Sequence, residues 1–153
     1  MVQHYGNRWG EVADAIENQC REFNINARAY ISQLSLECGA NIGSKNFRER
    51  NNPGGLSWAW SSSQDRTYRG VHVRRESALR GEGYGHYMIF DSIDDGIHAM
   101  LSLLSEKYRK NTQTVAEFYH NLAVGGYCDI RENRHYDTDL KNKYKSLSNK
   151  LSQ

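Results

Sequence analysis

Cysteine is scarce in this chain, and what there is does not pair. Cys20, Cys38 and Cys128 are three in number and form no CxxC, which excludes a disulfide framework. The six histidines are scattered without ligand spacing, so a zinc site is not expected, and no metal or organic cofactor is called for. No apolar run approaches the roughly 18 residues that would span a bilayer, which argues against membrane insertion. The first ten residues carry no apolar signal segment. The chain is therefore expected to be cytoplasmic as made, released by another route, or a domain of a longer protein. A net charge of +2 is too mild for a nucleic-acid partner, which needs a clear basic face. At 153 residues there is room for one domain, 1–153, expected to be monomeric. Aromatic residues, in contrast, are plentiful. Ten tyrosines and three tryptophans exceed what a small core needs. Such rings stack on sugar faces or nucleic-acid bases, so the surplus leans toward one of those ligands.

Helical periodicity organises both ends of the chain. Trp9, Val12, Ala13, Ile16 and Cys20 recur at spacings of three and four, which predicts a helix over 8–23. Asn24-Ile25-Asn26 breaks it, with Asn26 placed to cap the next helix, over 27–38. That helix carries Ala27, Tyr30, Ile31, Leu34 and Cys38 on one stripe and should end at Gly39. From Ala40 to about Tyr68 no period holds. Gly, Asn, Ser and the only proline, Pro53, gather there, which predicts a long ordered loop of the functional kind. Residues 70–76 and 84–90 read as two strands joined through Gly81-Glu82-Gly83, a hairpin. Asp91 and Asp94 then suggest a helix start, followed by the stripe Ile93, Ile97, Met100, Leu101 and Leu104. Thr114-Val115-Ala116-Glu117 matches a capping box, and its helix should stop at Gly125-Gly126. A last helix over about 134–151 aligns Tyr136, Leu140, Tyr144, Leu147 and Leu151. The fold class is α+β, mainly helical with one inserted β-hairpin.

Glu37 is the residue with the most chemistry in it. It lies at the edge of the apolar stripe of the second helix, where desolvation favours the neutral carboxyl. It also occupies the last helical turn, whose negative dipole end acts in the same direction. Both effects suit a general acid working near neutral pH. Periodicity alone favours the plainer reading, a solvated glutamate at a helix end.

Leu34-Ser35-Leu36-Glu37-Cys38-Gly39, followed by Asn51-Asn52-Pro53-Gly54-Gly55-Leu56, resembles the glucosaminidase family of peptidoglycan hydrolases, which includes flagellar-rod hydrolases, autolysins and phage lysins. Members carry a helix ending in a motif like L-E-S-G and then a loop N-N-x-x-G-I. Here Cys38 replaces the serine and Leu56 the isoleucine, while Ala40 and Asn41 stand where a tryptophan and second glycine often follow. Tyr87-Met88-Ile89-Phe90-Asp91-Ser92 with Ile97 is similar to the family's F-R-x-Y-x-S segment. Gly126-Tyr127-Cys128-Asp129, then Tyr136 and Leu140, is similar to its G-Y-A-T-D…Y-A-x-K-L ending. The four blocks run in order across residues 30–151.

The resemblance implies a lysozyme-like fold and cleavage of the glycan strands of bacterial peptidoglycan, with action on the cell wall as a phage-released, virion-associated or excised secreted domain. It implies Glu37 as the acid, an acidic partner on the hairpin, for which Glu76 has the best spacing over Glu82 and Asp65, and an essential tyrosine, Tyr127. Glu76 could equally be a strand charge paired with Arg74, Arg75 or Arg80, and Tyr127 could pack under the last helix. Asn51 and Asn52 could orient Glu37 or bind sugar, or could simply make a turn. Trp58, Trp60 and Tyr84 are candidates to line a glycan groove, Tyr136 to contact substrate, and Asp129 to brace the Gly-Tyr turn. An N-acetylmuramidase, a lytic transglycosylase and a non-catalytic glycan-binding module are the competing readings.

Overall fold

Helix α1, Asn7–Glu22, forms because its apolar residues repeat on one face, and Val12, Ala13, Ile16 and Cys20 are all buried. This computed structural model describes residues 7–37 and 44–107 together with Thr138, Asn142 and Lys145; side chains are described from Val12, except those of residues 32, 33, 35–37 and 107. The end of α1 is chemically explicit. Asn24 takes φ +57, Ile25 N–H donates to Cys20 O at 2.8 Å and Asn24 N–H to Arg21 O at 3.2 Å. These two bonds are a Schellman closure, with Asn in the left-handed position usually given to glycine. The closure turns the chain so that Ile25 joins Cys20 in the core. Burial pushes the Cys20 thiol up to about 12, so it stays protonated and packs as a small hydrophobe.

Helix α2, Ala27–Glu37, starts as its sequence indicates, with Asn26 Oδ1 accepting from Ala29 N–H at 3.0 Å. Ala29, Tyr30, Ile31 and Leu34 face the core, and Tyr30 is wholly buried. Helix α4, Ile93–Lys107, supplies the third wall through Ile97, Met100, Leu101 and Leu104. Its start differs from the expected Asp91 and Asp94 arrangement. Ser92 is the cap, its Oγ accepting from Asp95 N–H at 3.1 Å, and Asp91 is turned outward to His72.

The stretch expected to be irregular from 40 to 68 holds two short elements. Helix α3, Lys45–Arg48, is capped by Ser44 and buries Phe47. Strand β1, Arg66–Tyr68, pairs antiparallel with β2, Val71–Arg75, which in turn pairs with β3, Met88–Phe90. The expected two-stranded hairpin is therefore a three-stranded sheet in the order β1-β2-β3. The missed strand is made by a two-residue turn, Arg69-Gly70, in which both φ angles are positive, +50 and +84. Such a turn matches the right-handed twist of the flanking strands. Arg69 gives no cue for it, whereas asparagine there would. Between β2 and β3, Gly81, Glu82 and Gly83 form the expected turn, closed by Tyr84 N–H to Gly81 O at 3.1 Å.

One sheet face carries Val73, Met88 and Phe90 onto Ala99 of α4, with Leu56, Trp58, Trp60, Tyr68 and Val71 packed around them. The expected helix from Thr114 lies outside the described residues, as does most of the one expected over 134–151. Thr138, Asn142 and Lys145 are helical and exposed, at spacings that put them on one outer face.

Candidate active site

Glu37 is the last residue of α2, and that helix has no basic residue in its final turn. It follows Leu34 by three residues and Tyr30 by seven in the same helix, and both of those are buried. The backbone at Glu37 is described and its side chain is not. Tyr127, Asp129 and Tyr136 lie outside the described residues.

The Asn-Asn-Pro loop is held firmly. Asn52 is 0% exposed, and its side chain substitutes for missing backbone partners. Its Nδ2 donates to Leu56 O at 2.8 Å and Met88 O at 2.9 Å, and its Oδ1 accepts from Leu56 N–H at 2.8 Å. Asn52 therefore braces the loop against β3, and nothing of it is open to a sugar. Asn51, in the left-handed region at φ +50, donates from Nδ2 to Phe90 O at 3.0 Å. Arg50 O, Leu56 O and Trp58 N–H bond to Phe90 N–H, Met88 N–H and His86 O respectively. The loop thus runs along the free edge of β3. It also rests on α4, because Gly96 has no side chain: a Cβ there would lie 1.8 Å from Asn51 O.

Glu76 follows β2 directly, and its backbone N–H donates to Tyr87 O at 3.0 Å. Its partner is Arg50, a residue the sequence pattern gave no reason to choose over Arg74, Arg75 or Arg80. Arg50 Nε donates to Glu76 Oε1 at 2.9 Å and Nη2 donates to the same oxygen. Among the described residues, Glu76 Oε2 accepts one bond, from Tyr87 N–H at 3.1 Å. Arg50 and Glu76 are 8% and 7% exposed. Burial pulls the Glu76 carboxyl upward, but the Arg50 hydrogen bond and charge and the Tyr87 amide outweigh it and hold it below the ordinary glutamate range. A buried carboxylate in this setting is ionised at neutral pH. Its chemistry is that of a base or a fixed negative charge, complementary to an acid elsewhere.

The same neighbourhood gathers aromatic and guanidinium groups. The Arg50 and Arg80 guanidinium carbons lie 4.7 and 4.2 Å from the Tyr87 ring centroid. Arg80 also donates to Gly85 O at 3.0 Å and Ser57 Oγ at 3.1 Å, which ties the turn to the loop. Trp58, Trp60 and Tyr68 form an edge-to-face series, with centroids 4.9 and 5.8 Å apart, and Arg66 lies over Trp60. Trp58 and Trp60 are half-buried in the sheet core, with Trp58 Nε1 bonded to Ser62 O, so much of each ring is structural. Tyr84, by contrast, is 67% exposed at the lobe tip. Among the described residues, no three His, Cys, Asp or Glu side chains converge as a metal site requires.

Of the residues singled out in the sequence, the fold brings Asn51, Asn52 and Glu76 to one junction between the loop and the sheet, with Trp58 beside it. Arg50 and Tyr87 complete the junction. A signal for Arg50 exists only in hindsight: an arginine directly before an Asn-Asn loop that lies against the strand pair.

No curated protein sequence matches the chain. Solved structures do match in fold. The glycoside hydrolase domain of FlgJ from Salmonella typhimurium superposes with a TM-score of 0.64 at 15% identity, covering 95% of this chain and 91% of that one. The catalytic domain of the autolysin Auto from Listeria monocytogenes gives 0.63 at 14% identity, covering 100% and 89%. A peptidoglycan hydrolase from Sphingomonas sp. A1 gives 0.62 at 18% identity, covering 92% and 89%. At such identities the likeness speaks for the fold: helices with a small antiparallel sheet, in the lysozyme-like manner. A sequence model described as Glucosaminidase, mannosyl-glycoprotein endo-beta-N-acetylglucosaminidase, matches residues 13–149. That match takes in α2 with Glu37, the Asn-Asn loop, the sheet with Glu76 and the Gly-Tyr segment, and the chain belongs to the glucosaminidase family of glycoside hydrolases.

Proposed function

We propose that the protein cuts the glycan strands of bacterial peptidoglycan as an endo-β-N-acetylglucosaminidase, acting as a monomer on the cell wall with Glu37 as general acid. The observation that supports this most is the position of Glu37, closing a helix whose buried face leads up to it, inside a match to the glucosaminidase family. The helix end disfavours the carboxylate and so favours a proton held ready for transfer.

In the reaction, Glu37 gives its proton to the glycosidic oxygen as the bond to the anomeric carbon breaks. Glu76 is the partner carboxylate. Its Oε1 is occupied by Arg50, while Oε2 carries one amide bond and keeps a lone pair for a water proton. Water then adds to the anomeric carbon from the opposite face, its proton passes to Glu76, and the anomeric configuration inverts. That geometry calls for about 6.5–9.5 Å between the carboxyl groups. Tyr127 is assigned to stabilising positive charge at the sugar ring, and Asn51, Trp58, Tyr84, Asp129 and Tyr136 to holding the glycan. Asn52, wholly enclosed, supports the loop instead.

The test is digestion of purified sacculi with product identification by mass spectrometry. Fragments ending in reducing N-acetylglucosamine are expected. Reducing muramic ends would reassign the protein as a muramidase, anhydro-muramic ends as a lytic transglycosylase, and binding without release of reducing sugar as a glycan-binding module. Retained anomeric configuration would transfer the attacking role from water to the substrate's 2-acetamido group.

A further inference from the structure

We infer that Arg50 is a positioning residue of this hydrolase, seating the Glu76 carboxylate at the joint between the Asn-Asn loop and the sheet. The inference rests on the reading of Glu76 as the partner of Glu37.

Four observations carry it. Arg50 engages all three guanidinium nitrogens: Nε and Nη2 on Glu76 Oε1, Nη1 on Asn46 Oδ1 at 3.0 Å, with its face near the Tyr87 ring. Both members of the ion pair are buried, so neither bond is weakened by solvent as a surface pair would be. Among the described residues the bonds are divided unequally between the two carboxylate oxygens, two on Oε1 and one on Oε2, which leaves Oε2 the more open to a further donor. And the pair bridges elements far apart in sequence, since Arg50 follows α3 while Glu76 and Tyr87 flank the long turn of the sheet.

A positioning group of this kind acts on two properties of Glu76. One is orientation: two coplanar N–H groups converge on Oε1 while the Tyr87 amide takes Oε2, and lysine, a point charge on a flexible stem, does not reproduce that pair of donors. The other is protonation. The charged groups acting on Glu76 are Arg50 and Lys45, both from the α3 side, with the Tyr87 amide on the sheet side. Arg80, near the Tyr87 ring, bonds to Gly85 O and Ser57 Oγ and is not engaged with Glu76. Without Arg50 the first counterweight to burial is gone, and the carboxyl would rise. A base that must be ionised would then lose activity on the acid side first.

The experiment compares wild type with Arg50→Gln, Arg50→Lys, Glu76→Gln and the double variant Arg50→Gln/Glu76→Gln on purified peptidoglycan across pH, with Glu76 titration followed by carbon NMR of labelled glutamate. Arg50→Gln should lower kcat by about 10²-fold with little change in KM, as a misplaced catalytic group does. It should move the acid limb of the kcat/KM profile upward in step with the Glu76 titration. Arg50→Lys should restore the limb toward wild type while leaving kcat low. The double variant should be no worse than Glu76→Gln alone, because Arg50 acts only through that carboxylate. Should Arg50→Gln fail to fold, the double variant removes the unpaired buried charge and supplies the comparison.

An active, folded Arg50→Gln whose acid limb stays in place while Glu76 titrates higher would overturn the inference and reduce the pair to a structural clamp. Additive losses in the double variant would overturn it equally. A wild type that releases no reducing sugar overturns the functional reading itself, a different result from an active enzyme that ignores Arg50.

Discussion

The helical body and the sheet lobe are held together by different physics. Around α1, α2 and α4 the contacts are apolar: Ile16, Tyr30, Leu34, Ile97 and Leu101 are enclosed in one continuous cluster. Among the described residues, the lobe buries Val73, Met88 and Phe90 against Ala99 of α4, with Leu56, Trp58, Trp60, Tyr68 and Val71 partly buried around them. Its other fastenings are polar. They include Arg50 with Glu76, His72 with Asp65 and Asp91, Arg69 with Glu106, and Arg80 with Ser57 and Gly85. Burying apolar surface needs only approximate fit, whereas a polar fastening needs its one partner in place. The carboxylate assigned to catalysis sits where the two kinds of contact meet.

Breaking the body should cost most. Leu34→Ala removes a wholly enclosed side chain and is expected to lower stability by about 2–5 kcal/mol in denaturant unfolding, with helix and lobe signals falling together. A lobe that unfolded separately would contradict the shared base of the two regions. Gly96→Ala attacks the seam, since its new methyl would meet Asn51 O at 1.8 Å. We expect a loss of about 1–3 kcal/mol, with hydrogen exchange speeding first at Leu56, Met88 and Phe90. Asn52→Ala strips the backbone of Leu56 and Met88 of its buried partners. About 1–3 kcal/mol is expected again, now with faster exchange confined to the loop and β3; an unchanged exchange pattern would deny Asn52 its bracing role.

The smallest effect belongs to the exposed clip at His72. Its Nδ1 lies 2.7 Å from Asp91 and its Nε2 3.1 Å from Asp65. The Asp91 bond, then the Asp65 bond and both charges, raise the imidazole above its ordinary value despite slight desolvation. A raised value in the folded state means that protonation favours folding. The contribution is complete below the ordinary histidine range and is lost as pH rises through the raised value. Wild type should therefore exceed His72→Gln in Tm at about pH 5.5 and converge with it at about pH 9. A difference that grew with pH would refute the clip.

The same contrast explains what could be read from the sequence. The helices were legible because their signals are local. Val12, Ile16 and Cys20 announce a face, Asn26 announces a start, and Ile97, Met100, Leu101 and Leu104 announce another face. Helix α3 and strand β1, four and three residues long, are too short to show any period. Acidic residues suit a helix start as well as serine does, so Asp91 and Asp94 read as the start of α4; only the fold shows Asp91 taken by His72 and Ser92 as the cap. The distance of Glu76 from the Tyr87 segment marks it as a candidate, but nothing in the sequence marks its partner. Three arginines near it in sequence, Arg74, Arg75 and Arg80, suggest themselves, and the pairing with Arg50 depends on how the loop lies against β3, a tertiary fact with no local trace. Asn52 was legible as part of a motif, yet its side chain proves to be a backbone brace.

The central claim is that Glu37 delivers the proton. Its most direct test is the release of reducing sugar from purified peptidoglycan by wild type and Glu37→Gln, matched for folding by circular dichroism. The account predicts an active wild type and a variant reduced by at least about 10²-fold, as loss of general acid catalysis requires. A folded Glu37→Gln that hydrolyses the glycan at near wild-type rate would contradict it.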